Sequence, residues 1–492
     1  MRELEQGSVN CGVSLEQLMD NAGLAIARAV HQLNSGPGKV LVLVGPGNNG
    51  GDGLVCAEHL RSWGWTVFIH LAPARERDRE RFPVLERVDP GPIPAERVDV
   101  VVDALLGTGN TRPLEGAIAS ALDETRARHA AALVVAVDLP SGVNGDSGAA
   151  DPRTLPARLT VTLGLAKTGL YLYPAHELAG EIRVADIGIP RSLTQGVHTW
   201  LGDASVARAG LPARPADSHK GTYGKLLVVA GSASYCGAPY LAGLAAARVG
   251  AGLLRLALPE SAHRVVASKF TEGTFTALPE TSAGWLAAAA LPRLRELLDG
   301  GFDCLLAGPG LGQDPETSQV LDHILLGGLD LPGRVVLDAD ALNNLARHPD
   351  WHARLPRGCV LTPHPAELGR LAALPIEQVI ANRFELAREK AREWGQVIVA
   401  KGANTIIAAP DGRAVIDPGA NPLLATAGTG DVLAGTIAGL LTQGIDAWAG
   451  AVAGTYVAST AARRLIPQYG RSGMIASDLH AQLPLALKSI SS

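Results

Sequence analysis

Strand-length apolar runs recur along the chain, at residues 40–44, 66–71, 98–102, 132–137, 159–163 and 181–185, then at 226–230, 253–258, 304–307, 335–337, 360–361 and 397–400. Continuous rather than alternating apolar runs are those of parallel strands buried on both faces. Helically spaced segments separate them, at 15–33 with Ser14 as N-cap, at 54–63, 114–127 and 240–249, and from about Asp431 onward. The pattern predicts an α/β protein with parallel sheets, opened by a βαβ unit over residues 39–71. A turn-rich segment up to Pro215 places a domain boundary near residue 200, giving domains 1–200 and 201–492. Residues 72–97, charged and broken by prolines, read as a surface connection.

Glycine and polar residues gather where the apolar runs end, and in open parallel sheets ligands bind beyond those carboxyl ends. In the first half the ends carry Gly45-Pro46-Gly47-Asn48-Asn49-Gly50-Gly51-Asp52-Gly53, then Asp103 with Leu106-Gly107-Thr108-Gly109-Asn110, then Asp138-Leu139-Pro140-Ser141. Lys167 lies on the loop after residues 159–163. The oxygens of Asn49, Asp103 and Ser141 form a set that suits a hard cation, although a single strand-end aspartate is also the ordinary cap of a neighbouring helix. In the second half the ends carry Gly231-Ser232, Gly308-Pro309-Gly310-Leu311-Gly312, Asp338-Ala339-Asp340, Thr362-Pro363-His364-Pro365-Ala366-Glu367 and Lys401-Gly402-Ala403-Asn404-Thr405. Prolines on both sides of His364 fit a displayed side chain.

Thr426-Ala427-Gly428-Thr429-Gly430-Asp431 precedes an apolar helical run and reads as an anion cradle at a helix N-terminus. An ionised Asp431 beside a bound phosphate is placed to take a proton from an attacking hydroxyl. The plainer alternative makes Asp431 an N-cap. Small residues at Ala434, Gly435, Ala438 and Gly439 predict a close helix contact. Lys401 can meet a nucleotide's charge, and Glu367 is a candidate magnesium ligand, directly or through water.

Composition narrows the classes. The 492 residues include 47% apolar ones, enough for proper cores, and carry a net charge of −5, so nothing argues for nucleic acid. Five cysteines are scattered without metal-site spacing. No uninterrupted apolar run reaches the roughly 18 residues of a membrane span, and no apolar signal core opens the chain, so a cytoplasmic protein is expected.

Taken in order, these motifs resemble the bifunctional NAD(P)H-hydrate repair enzymes, in which an epimerase is fused to a nucleotide-dependent dehydratase. The resemblance covers nearly the whole length, His219-Lys220-Gly221 included. It implies a Rossmann-like three-layer αβα first domain and a ribokinase-superfamily second domain. The implied substrates are NADHX and NADPHX, reduced cofactors whose ring has gained water and bears a hydroxyl in R or S configuration. The first domain would interconvert the epimers, with Asn48, Asn49, Gly50, Gly51, Asp52, Gly107, Thr108 and Gly109 around the substrate and Asp138 as acid/base or substrate holder. Asn49, Asp103 and Ser141 would bind potassium. The second would phosphorylate the S hydroxyl from ADP, giving AMP, and phosphate loss would restore the ring. Asp431 would be the base, Lys401, Gly402, Ala403, Asn404, Thr405 and Gly430 would hold the nucleotide, and Ala238, Gly310 and His364 would line the hydrate site. A homo-oligomer is implied. Fewer residues than the family pattern precede Met1-Arg2-Glu3, so the first helix is short here or the start is assigned late. Two rival readings are a vitamin-type kinase that releases a phosphorylated product, and a first domain that only binds.

Overall fold

The computed structural model describes residues 1–73, 81–109, 112–211 and 213–491; Asn110 and part of the 72–97 connection lie outside these. The chain forms two compact units, Met1–Val197 and His198–Ser492.

The first unit holds β1 (Lys39–Val44), β2 (Thr66–Leu71), β3 (Val100–Ala104), β4 (Leu133–Val137), β5 (Leu159–Leu163) and β6 (Glu181–Ala185). They form one parallel sheet in the order β2-β1-β3-β4-β5-β6. Both faces are covered, which is why the strands read as unbroken apolar runs. Val40, Val42 and Val44 pack with helices Leu15–Leu33 and Asn48–Ser62, whereas Leu41 and Leu43 pack with Gly116–Arg128. Ser14 caps the Leu15–Leu33 helix in a reciprocal box with Gln17. A shorter helix, Arg2–Asn10, precedes it.

Two expectations change here. The helix after β1 starts at Asn48, not Leu54, so the glycine-rich run forms its first turns. Its glycines serve close packing: a Cβ on Gly53 would lie 2.5 Å from Ala104 Cβ, and one on Gly51 2.7 Å from Met19 Cε. The stretch after β2 is more than a surface connection, since Phe82, Val84, Leu85 and Ile93 are buried. Charged neighbours hid these core residues. The chain leaves β1 for β2 on one side and returns to β3 on the other, so the loops after β1 and β3 flank the crevice at the switch point.

The second unit holds β7 (Thr199–Leu201), β8 (Lys225–Val229), β9 (Leu253–Pro259), β10 (Thr274–Leu278), β11 (Cys304–Ala307), β12 (Val335–Leu337), β13 (Val360–Leu361), β14 (Val397–Ala400), β15 (Thr405–Ala408) and β16 (Ala414–Asp417). Their order is β10-β9-β8-β11-β12-β13-β14-β15-β16-β7, parallel from β10 to β14 and antiparallel at β14-β15-β16. β7 closes the edge parallel to β16. Helices Gly237–Arg248 and Thr429–Thr442 cross at backbone contact, because a Cβ on Gly435 would lie 2.1 Å from the Ala242 carbonyl oxygen and one on Gly439 2.6 Å from Ala246 Cα. Among the described residues no helix is long and apolar enough to cross a membrane.

Candidate functional site

In the second unit, helix Thr429–Thr442 starts from Gly428, whose φ of 88° is left-handed and so favours glycine. Asp431 lies in the first turn. Burial and the neighbouring Asp338 push its carboxyl up to about 7, against the pull of Lys401. Low dielectric and like charge thus favour its protonated form more than in an exposed carboxylate, where the sequence alone suggested an ionised one.

Lys401, just past β14, binds three features of this site. Its Nζ lies 2.8 Å from Asp338 Oδ1 and 3.8 Å from Glu367 Oε2, and a Cβ on Gly430 would stand 3.4 Å from it. Burial alone would lower the Lys401 pKa, but Asp338, Glu367 and Asp431 raise it, so the ammonium stays charged. Burial pushes Glu367 up to about 7, with Lys401 opposing and Asp338 adding to the rise. Glu367 Oε2 accepts the His364 backbone N–H at 2.7 Å, the reciprocal half of a cap in which His364 Nδ1 accepts the Ala366 N–H at 3.2 Å. The His364 ring is exposed, as its flanking prolines led one to expect. Asp338 Oδ1 also accepts the Thr362 hydroxyl at 2.7 Å.

Arg383 braces the 401–405 loop. Arg383 donates to the carbonyl oxygens of Lys401 at 3.3 Å and Asn404 at 2.6 Å, and its guanidinium fills the space a Cβ on Gly402 would need. The buried Asn404 side chain turns inward, where Oδ1 accepts the Ala420 N–H at 3.2 Å, and Thr405 opens β15. Ala238 sits in the first turn of helix Gly237–Arg248. A Cβ on Gly310, whose φ is 67°, would come within 3.1 Å of Ala238 Cβ and 2.7 Å of Tyr235 Cβ.

In the first unit a cavity of about 550 Å³ opens at the switch point, lined among others by Asn48, Asn49, Asp52, Gly107, Asp138 and Lys167. Asp138 holds a left-handed φ of 66°, a conformation rare for a residue with a side chain and maintained only where surroundings demand it. Its Oδ1 accepts from Lys167 Nζ, from Leu163 N at 3.1 Å and from the Thr162 hydroxyl at 3.3 Å. A Cβ on Gly107 would meet Asn49 Oδ1 at 3.2 Å and Asp138 Oδ2 at 3.5 Å, so these two side chains converge on that loop. Burial, then Asp138, pushes Asp52 well above the ordinary carboxyl range.

Asp103, the remaining strand-end aspartate of this unit, does not line the cavity. It is fully buried below the loops, its Oδ2 accepting Ser141 N at 2.8 Å and its Oδ1 accepting the Ser141 hydroxyl at 2.6 Å and Leu105 N at 3.3 Å.

The comparisons with known proteins match these two units separately and together. Residues 15–169 match the family described as YjeF-related protein N-terminus, and residues 226–485 match NAD(P)H-hydrate dehydratase. The chain is 39% identical to the bifunctional NAD(P)H-hydrate repair enzyme of Moorella thermoacetica, over 96% of this chain and 92% of that one. The chain belongs to the bifunctional NAD(P)H-hydrate repair enzymes. The Escherichia coli member is 34% identical over 96% of this chain and 89% of its own. A Bacillus subtilis ADP/ATP-dependent NAD(P)H-hydrate dehydratase, crystallised with ATP and Mg²⁺, superposes with a TM-score of 0.52 at 32% identity, covering 59% of this chain and 98% of that one.

Within this NAD(P)H-hydrate repair enzyme, three residues carry more of the geometry than sequence reasoning assigned them. Asp338 and Lys167 were visible as polar residues after β12 and β5, and the strand-end logic applied to Asp103 and Asp138 would have reached both. Arg383 lay in a charged helical segment with no signal that its guanidinium braces a loop.

Proposed function

We propose that the chain repairs hydrated NADH and NADPH in two steps, epimerising R and S forms in the first unit and dehydrating the S form in the second. The observation that carries the dehydration step is the half-buried Asp431 carboxyl, in the electrostatic field of Lys401 at the Gly430 turn. Asp431 takes the proton of the S hydroxyl as that oxygen attacks the terminal phosphoryl group of ADP. Lys401 offsets charge on the phosphoryl oxygens, and the Gly428–Gly430 backbone with the helix N-terminus holds them. Loss of phosphate, followed by loss of a proton from the neighbouring ring carbon, then restores the double bond, since phosphate leaves where hydroxide does not. Lys401, Gly402, Ala403, Asn404, Thr405 and Gly430 hold the nucleotide in this reading, and Ala238, Gly310 and His364 the hydrate.

Magnesium fits this donor set. Among the described residues no group of three or more His, Cys, Asp or Glu forms a metal cage, but magnesium is ordinarily held by one or two carboxylates with water and phosphate. Glu367 and Asp338 would supply those oxygens, and the bound ion would neutralise phosphate charge.

In the first unit Asp138 faces the hydroxyl-bearing carbon, with Asn48–Asp52 and Gly107–Gly109 around the substrate. Potassium fits at Asn49, Asp103 and Ser141. The Asp103 carboxyl is buried and raised by that burial, and the buried Asn49 Nδ2 has no hydrogen-bond partner, so turning this amide about its last torsion offers its oxygen to a cation instead.

Incubating the purified protein with each epimer, with ADP and ATP in turn, tests the proposal. Recovery of intact reduced-cofactor absorbance with release of inorganic phosphate is expected. A phosphorylated hydrate that accumulates without absorbance recovery would overturn it in favour of a simple kinase.

A further inference from the structure

Lys167 has no part in the roles above. Its Nζ donates to Asp138 Oδ1 and to the Leu163 carbonyl at 2.7 Å, and its side chain is buried at the cavity wall. An ammonium carries three N–H donors, so these two bonds leave one for a ligand in the cavity. Asp138 is less free: Oδ1 already accepts from Lys167, Leu163 and Thr162, which leaves Oδ2 to face the Gly107 loop. Water added across the enamine double bond of a dihydropyridine leaves its hydroxyl on the carbon bonded to nitrogen. Inverting that carbon needs a group that gives a proton to the departing hydroxyl and recovers one from the returning water.

We propose that Lys167 is this proton-transfer group, with Asp138 aligning it and balancing the ring's charge; this rests on reading the first unit as the epimerase with Asp138 at its centre. The Nζ proton passes to the hydroxyl oxygen, the C–O bond breaks as the nitrogen lone pair forms C=N⁺, and water departs. The ring, flat at its C=N⁺ carbon, turns over about its bond to the ribose. Water then adds to the other face, the C=N⁺ pair returns to nitrogen, and the Lys167 amine takes the released proton. During the cationic stage the lysine is neutral, so the Asp138 carboxylate is paired with the ring instead.

Full-length Lys167→Arg, Lys167→Ala and Asp138→Asn variants test this, with R-hydrate consumption followed under excess ADP and referred to spontaneous epimerisation and to the S-hydrate rate of the same preparation. Lys167→Arg keeps charge and ion pair but does not release a proton, so epimerisation is expected to fall about 100-fold. Lys167→Ala should be equally slow and be rescued by methylammonium in proportion to its concentration. A wild-type rate in Lys167→Arg, or a folded Lys167→Ala that methylammonium does not rescue, overturns the assignment; if the alanine variant does not fold, Lys167→Arg decides alone. Loss in Asp138→Asn beside full activity in Lys167→Arg sinks only the lysine's role, whereas full activity in Asp138→Asn sinks the reading beneath it.

Discussion

Both units set a lysine against an aspartate that follows a central strand, Lys167 with Asp138 in the first and Lys401 with Asp338 in the second, yet the surroundings differ in charge. Asp138 has Lys167 and two further donors on one oxygen, and Asp52 beside it is pushed toward its neutral form. Lys401 is shared among Asp338, Glu367 and Asp431, with Asp340 adding to the negative surplus around Asp431. A balanced pair suits inversion of a ring with no phosphate at the reacting carbon. A surplus of carboxylates suits phosphoryl transfer, where a cation must be attracted and the base needs appreciable proton affinity.

The sharpest way to break this contrast is Asp431→Asn. If the surplus exists to tune that base, dehydration of the S form should fall about 1,000-fold, or about 4 kcal/mol of barrier, while R and S forms still equilibrate without nucleotide. Wild-type dehydration by this variant would remove Asp431 from the mechanism. Next comes Asp138→Ala, which should leave the R form unrepaired beyond its spontaneous rate, a loss of about 100-fold or more, with S-form dehydration retained. Equal consumption of both epimers by the variant would show that the first cavity is not where inversion occurs.

A smaller effect concerns the scaffold that holds the second site. Gly435→Ala gains about 1 kcal/mol of helix propensity but drives a methyl group into the Ala242 carbonyl. Overpacking of this kind costs about 1–3 kcal/mol, so chemical denaturation should show net destabilisation, and a more stable variant would mean that the two helices can part freely.

What was legible followed the strength of the local signal. Unbroken runs such as Lys39–Val44 and Cys304–Ala307 announced buried parallel strands because both faces of each sheet are covered. β15 and β16, four-residue strands in the antiparallel end of the sheet, and β7, three residues at its edge, went unseen because their short runs carry little periodicity among polar and turn residues, and β10 was missed in a polar context. The start of the helix at Asn48 was hidden by glycines whose purpose is contact with Met19 and Ala104, partners remote in sequence. Asp431, Lys401 and Glu367 were found as residues; that they share one field, and that Asp431 and Glu367 are raised to about 7, depends on burial and distances that only the fold supplies. Asp103 illustrates the converse, a strand-end aspartate that turns away from the cavity toward Ser141 and Leu105.

The gentlest test uses stability against pH, where the two sites should respond with opposite sign. Asp431 holds a proton up to about pH 7 when folded and only to about 3.8 when unfolded. Across that window the folded chain binds more protons than the unfolded one, so the contribution of Asp431 to stability is present at low pH and is lost as pH rises through 7. Asp431→Asn removes this penalty and should raise the melting temperature at pH 8 by about 2–4 °C, with the gain fading toward pH 4. The same titration near pH 7 should appear as the acidic limb of kcat/KM for dehydration, activity rising with pH, because the base must lose its proton to act. Asp138→Asn removes the carboxylate that pairs with the buried Lys167 ammonium and leaves that charge unmatched, so melting at pH 8 should fall instead. A lower melting temperature in both variants would mean that the second site's carboxylates are matched as closely as Asp138 is, and the contrast between the two lysine sites would fail.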